Sequence, residues 1–169
     1  MLILGVDPGL NTTGYALVRK TPGGALKLVE GGVIRGKSKE TLPLRILEIY
    51  QNLEEIVQTH APSAMALEEI YSHYERPKTA ILMGHVRGAI CLCAAKNDVP
   101  VFNYSATTVK KTLTGSGRAS KNQVQRAIQI EFRLPELPSP PDLADALAIA
   151  ICHGYHARND DTCGGVLPF

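Results

Sequence analysis

The sequence predicts an α/β fold, a mixed five-stranded sheet flanked by helices on both faces, with its first three strands an antiparallel meander. Three observations predict it. Three apolar segments divided by Pro-Gly turns open the chain; helical periodicities then alternate with two further apolar runs; and the last third reads as helices alone. At 169 residues, 44% of them hydrophobic, the chain can bury one substantial core, expected over residues 1–157.

The opening strands are Leu2 to Val6, Gly14 to Arg19 and Leu26 to Arg35, divided by Pro8-Gly9 and by Pro22-Gly23-Gly24. From Leu42 to Gln58, Leu44, Leu47, Ile49, Leu53, Ile56 and Val57 recur near helical spacing, and Ala64 to Ile70 reads as a buried strand in a parallel crossover. Thr79 to Ala95 is apolar almost all round, broken by His85 and Arg87, with Gly84 and Gly88 four apart. Such a helix must be covered on every side, by core or by a partner subunit, and the two interruptions argue against a membrane span. Val99 to Tyr104 reads as the last strand. A basic helix from Ala106, a loop at Gly115-Ser116-Gly117, a helix from Lys121 to Phe132, a proline-rich connection and a helix from Asp142 to His156 complete the core. Residues 158–169 read as a loose, flexible tail.

Net charge is only +2, so distribution matters more than the total. Between Ser105 and Phe132 stand Lys110, Lys111, Arg118, Lys121 and Arg126 against the single acid Glu131. A basic segment on a mildly acidic body suits a polyphosphate partner, although it is also what a solvated helix face looks like. Cys91, Cys93, Cys152 and Cys163 have no zinc-like spacing and read as reduced thiols. The N-terminus lacks a basic leader and reaches Asp7 early, so a cytoplasmic protein without membrane attachment is expected.

The carboxylates carry the chemistry. Asp7 ends the first strand immediately before Pro8-Gly9, where it is either a turn aspartate or a functional acid. Glu68 and Glu69 interrupt a buried strand, which is costly unless the charge is paired or binds a metal; periodicity alone does not choose between them. Asp142 and Asp145 share one helix face. Ser139-Pro140-Pro141-Asp142 fits a capping box, which would explain Asp142 structurally. Asp145 has no such explanation, since its helix is too apolar to be solvated, and an ionised group there wants a cation. Acids from three distant segments point to one shared divalent-metal site. Their hard oxygens favour magnesium, with manganese possible.

Gly5-Val6-Asp7-Pro8-Gly9 with Thr13-Gly14-Tyr15, then Ala66-Leu67-Glu68-Glu69-Ile70-Tyr71, then Asp142-Leu143-Ala144-Asp145-Ala146-Leu147 resemble, in order, the three acidic motifs of the RuvC family of Holliday-junction resolvases. Gly84-His85-Val86-Arg87-Gly88, Val109-Lys110-Lys111-Thr112 and Gly115-Ser116-Gly117 through Lys121 extend the resemblance over roughly residues 1–157. It implies a ribonuclease-H-like fold in which Asp7, Glu68, Asp142 and Asp145 are the catalytic, metal-binding acids, with Glu69 a neighbour. It also implies DNA contacts by Tyr71, stacking on an unpaired base, and by Lys110 and Lys121 near the scissile phosphate.

The same resemblance implies a homodimer, with Thr79 to Ala95 at its interface, that nicks opposite strands of a four-way junction in recombination and repair, leaving 5′ phosphate and 3′ hydroxyl ends. RuvA and RuvB, the branch-migration motor, are the implied partners. Two metal ions per site, roughly 3.5 to 4 Å apart, would serve the phosphate. Another ribonuclease-H-like nuclease and a junction-binding module without catalysis are the rival readings. An actin-like or sugar-kinase ATPase would need a second similar domain, for which this length leaves no room.

Overall fold

A computed structural model describes residues 1–36, 39–69 and 77–157. Its elements follow as β1 (Leu2–Asp7), β2 (Thr12–Lys20), β3 (Leu26–Arg35), α1 (Leu42–His60), β4 (Ala64–Glu68), α2 (Pro77–Lys96), β5 (Val101–Tyr104), α3 (Ala106–Thr114), α4 (Lys121–Phe132) and α5 (Pro141–His156). The sheet order is β3-β2-β1-β4-β5. β1, β2 and β3 form the expected antiparallel meander, and β4 and β5 join parallel to it.

Strand alternation divides the core in two. Leu2, Leu4, Val6, Leu17, Met65 and Leu67 point to the face covered by α1 and α2, where Ile49, Leu53, Val86 and Ile90 meet them. Ile3, Ala16, Val18 and Ala66 point to the opposite face, covered by α3, α4 and α5. The two faces differ in side-chain size. On the second face the central strands present small residues, and α5 answers with Ala144, Ala146, Ala148 and Ala150, all buried. Small on small lets the helix approach the sheet closely. A Cβ on Gly5 would overlap the Ala146 carbonyl and stand 2.8 Å from the Ala150 Cβ, and one on Gly14 would overlap the Asp142 carbonyl. Because Gly14 is the cross-strand partner of Asp7, the first turn of α5 comes to lie beside the end of β1.

The helix ends are set locally. Ser105 caps α3 by accepting from the Thr108 amide at 3.2 Å, and Ser120 with Gln123 forms a reciprocal capping box on α4. At α5 the expected capping box is absent: the cap position is Pro140, which has no side-chain oxygen to offer. Asp142 is thereby left without the structural role that a cap would have given it. The buried strand expected to reach Ile70 ends at Glu68; Ile70 itself lies outside the described residues.

α2 departs from the full coverage that its composition demands. By length and composition it could cross a membrane. It instead lies along the sheet, burying Val86, Ile90, Cys93 and Ala94 along one stripe, while Ile81 at 61% and Leu92 at 62% exposure stand open. Among the described residues, no atom lies where a Cβ on Gly84 or Gly88 would go. Cys91 is half-buried and Cys93 and Cys152 are buried, all as free thiols, whereas Cys163 and the expected tail fall outside the described residues.

Candidate active site

The alternation that builds the core also aims the acids. Ile3, Gly5 and Asp7 project from β1 toward α5, and Ala64, Ala66 and Glu68 project from β4 to the same side, with Val6 opposite Leu67 in parallel register. Glu68 is therefore directed into the same cleft as Asp7, while Glu69 is exposed and off the strand. Sequence periodicity could not separate the two glutamates. The size alternation Ala64-Met65-Ala66-Leu67 carried the missing signal, because Glu68 continues the small-residue face on which α5 packs.

The turn after Asp7 is clamped from two sides. Thr13, fully buried, donates from Oγ1 to the Gly9 carbonyl at 2.7 Å and accepts from the Gly9 amide at 3.3 Å. Arg45 of α1 donates to the Leu10 carbonyl at 3.2 Å and to Asn11 Oδ1 at 2.5 Å. Arg45 drew no notice in the sequence because it reads as an ordinary polar residue in the first turn of an amphipathic helix. Across the cleft, the first turns of α5 present Asp142 and Asp145, both half-buried.

Glu68, Asp142 and Asp145 stand close enough to Asp7 to raise its proton affinity. The Asp7 carboxyl is pushed up to about 8, first by its burial and then by repulsion from Asp145, Glu68 and Asp142, with Lys121 pulling the other way. Glu68 is raised by burial and then by Asp145, and opposed by Lys121 and Lys110. Asp145 is raised chiefly by burial, against Lys121. Its side chain is more open than its apolar helix suggested, 38% exposed, with Lys121 Nζ 3.7 Å from Oδ2. A cavity of about 220 Å³ is lined by Glu68, Lys110, Lys121 and Asp145 over an apolar floor that includes Val109 and Val124. Tyr71 lies outside the described residues.

The donor set fits hard divalent cations: carboxylate oxygens only, half-desolvated and mutually repelling, so that a cation would relieve a local excess of negative charge. Among the described residues no three His, Cys, Asp or Glu side chains stand close enough together to hold an ion as they are placed. An open cleft of this kind leaves coordination positions for oxygens from a substrate.

A sequence profile described as crossover junction endodeoxyribonuclease RuvC matches residues 3–153. The chain belongs to the RuvC family. Among curated relatives, the RuvC of Rhodopirellula baltica is 53% identical over 157 residues, covering 93% of this chain and 88% of its own. The RuvC of Pelotomaculum thermopropionicum is 44% identical, covering 92% and 94%. Both relatives are named crossover junction endodeoxyribonucleases. In three dimensions the chain resembles Thermus thermophilus RuvC, solved in complex with a Holliday junction substrate, with a TM-score of 0.86 at 31% identity over 92% of this chain and 94% of that one. The yeast mitochondrial Holliday junction resolvase Ydc2 shares the fold, with a TM-score of 0.61 at 14% identity over 90% and 78%. The mixed five-stranded sheet flanked by helices is thus a fold shared with RuvC and related resolvases, as the sequence predicted.

Proposed function

We propose that this chain is a metal-dependent endonuclease that resolves four-way DNA junctions in recombination and repair. Residues 1–157 form its nuclease domain. The observation that carries the reading is the approach of Glu68, Asp142 and Asp145 to Asp7, from three separate elements and near enough to act on its charge, with Lys110 and Lys121 beside Glu68 and Asp145, on the RuvC fold.

In this reading the four carboxylates hold two magnesium ions, or manganese, and aim them at the scissile phosphate. When bound, such ions lower the pKa of a water and neutralise charge on the phosphate. The chain's own work is placement. The Thr13 and Arg45 clamps hold the turn after Asp7, the packing of α5 against Gly5 and Gly14 fixes Asp142 and Asp145, and the two lysines offset charge that builds on the phosphate during in-line displacement. The products are a 5′ phosphate and a 3′ hydroxyl.

Paired nicking needs two sites. The open stripe of α2 and the adjoining face of α1 border a groove of about 630 Å³ that includes Leu42, Ile46, Leu47, Tyr50, Ala89 and Leu92. An apolar groove of this size on an isolated chain supports a homodimer through α1 and α2. Tyr71 is assigned to base stacking at the junction, RuvA and RuvB to the partnership, and the cytoplasm to the site of action; these assignments rest on family membership.

The test is cleavage of a synthetic four-way junction with and without magnesium, beside linear duplex and the Asp7→Asn variant. Symmetric nicks on the junction alone, requiring metal and lost in Asp7→Asn, are expected. Tight binding without nicking in either metal would favour a junction-binding module, and equal cutting of linear duplex or RNA would favour a different nuclease.

A further inference from the structure

Arg87 is the charge that interrupts an otherwise apolar helix, and the packing of α2 shows where it goes. Val86 and Ile90 are buried against the sheet, and between them Arg87 reaches across the ends of β4 and β5. Its guanidinium donates to the Glu68 carbonyl at 2.5 Å and, through the other terminal nitrogen, to Asn103 Oδ1. The pairing of β4 with β1 ends at Val6 and Leu67, one residue short of Glu68. On the β5 side, Glu68 stands opposite Tyr104, and the Glu69 amide donates to the Tyr104 carbonyl at 2.9 Å. Arg87 thus adds a last rung where the sheet ladder stops, gripping from the α2 face the peptide whose side chain enters the cleft on the other face.

We propose that Arg87 is a positioning residue that, with Asn103, fixes the Glu68 peptide so that its carboxylate is preset for metal binding. The proposal rests on the reading of Glu68 as a metal ligand given above. The cations that act on the Glu68 carboxyl are Lys121 and Lys110, so Arg87 works through the carbonyl rather than as a counter-charge. A planar fork suits the task because it meets two acceptors at once, which the single ammonium of lysine does poorly. Loss of a partner that orients a metal ligand typically weakens metal affinity by about 10–100-fold.

The experiment is manganese binding to the free protein, followed by electron paramagnetic resonance, for wild type, Arg87→Gln, Arg87→Lys and Asn103→Ala. Circular dichroism and sedimentation run alongside. Arg87→Gln is expected to bind manganese about tenfold more weakly, Arg87→Lys to fall between, and Asn103→Ala to shift less in the same direction. In junction cleavage, KM for DNA should hold while raised magnesium restores kcat. Unchanged manganese affinity in folded Arg87→Gln would overturn the proposal. So would a loss seen only together with a change in oligomeric state, or a kcat defect that no magnesium concentration repairs. If Arg87→Gln does not fold, Asn103→Ala decides: a weaker manganese affinity supports the proposal and an unchanged one overturns it. Because manganese binding is read without DNA, its outcome stays separate from whether the chain cleaves junctions.

Discussion

A carboxyl raised to about 8 is a stability statement as well as a chemical one. Between its ordinary value of 3.8 and about 8, Asp7 holds its proton in the folded chain and loses it in the unfolded one. The stabilisation is complete at low pH and fades as pH rises through the folded value. Without metal, the melting temperature should therefore fall between about pH 4 and pH 8, and the raised Glu68 and Asp145 add to the same slope. Asp7→Asn should flatten the fall and be the more stable protein at pH 8 in chelator, while magnesium should reverse that order, as thermal unfolding with and without chelator would read. Lys121→Ala removes the main positive charge acting on Asp145 and Glu68, and should cost on the order of 10²-fold in kcat with little change in folding. At this scale Asp7 and Asp145 drew notice from the residues themselves, Asp142 kept a structural explanation, and the choice of Glu68 over Glu69 and of Lys110 and Lys121 came only from the family resemblance. Sequence reading could not reach Arg45 or Thr13, whose tasks depend on carbonyls brought near by tertiary folding.

Secondary structure was almost wholly legible: α1 carries a clear apolar period, α2 was legible from an unbroken apolar run rather than a period, and turn residues mark most strand ends. The start of α5 was read differently, as a Ser139 cap, because a motif describes spacing and leaves open which residue occupies the cap position. The distance between elements was not legible at all. Only the packed structure shows that α5 lies so close to β1 and β2 that Gly5 and Gly14 have no room for a methyl group. Gly5→Ala and Gly14→Ala should each destabilise by about 1–3 kcal/mol through overpacking and weaken metal-dependent cleavage beyond that. Urea unfolding paired with kcat would separate the two effects. Leu147→Ala, deep on the same helix and 1% exposed, should cost about 2–5 kcal/mol, yet leave cleavage measurable wherever the protein remains folded.

Over the whole molecule, the sheet serves two different surfaces. The α3, α4 and α5 side carries the cleft, and the α1 and α2 side carries the apolar groove. Sequence reading found α2 apolar almost all round and asked for cover on every side, by core or by a partner subunit; among the described residues Ile81 and Leu92 remain uncovered. In the proposed homodimer, a charge placed in the open stripe, Leu92→Glu, should shift the protein toward monomer in sedimentation. Two simultaneous nicks on one junction should then give way to single nicks, with the melting temperature of the chain little changed because Leu92 is 62% exposed.

The close seating of α5 on Gly5 and Gly14 also bears on how this gene can vary. Every missense change at a glycine codon adds a side-chain carbon, so neither position has a conservative neighbour to drift through. A random library selected for repair function should keep these two codons as glycine about as strictly as the codons for the acids, although neither residue has a reactive group.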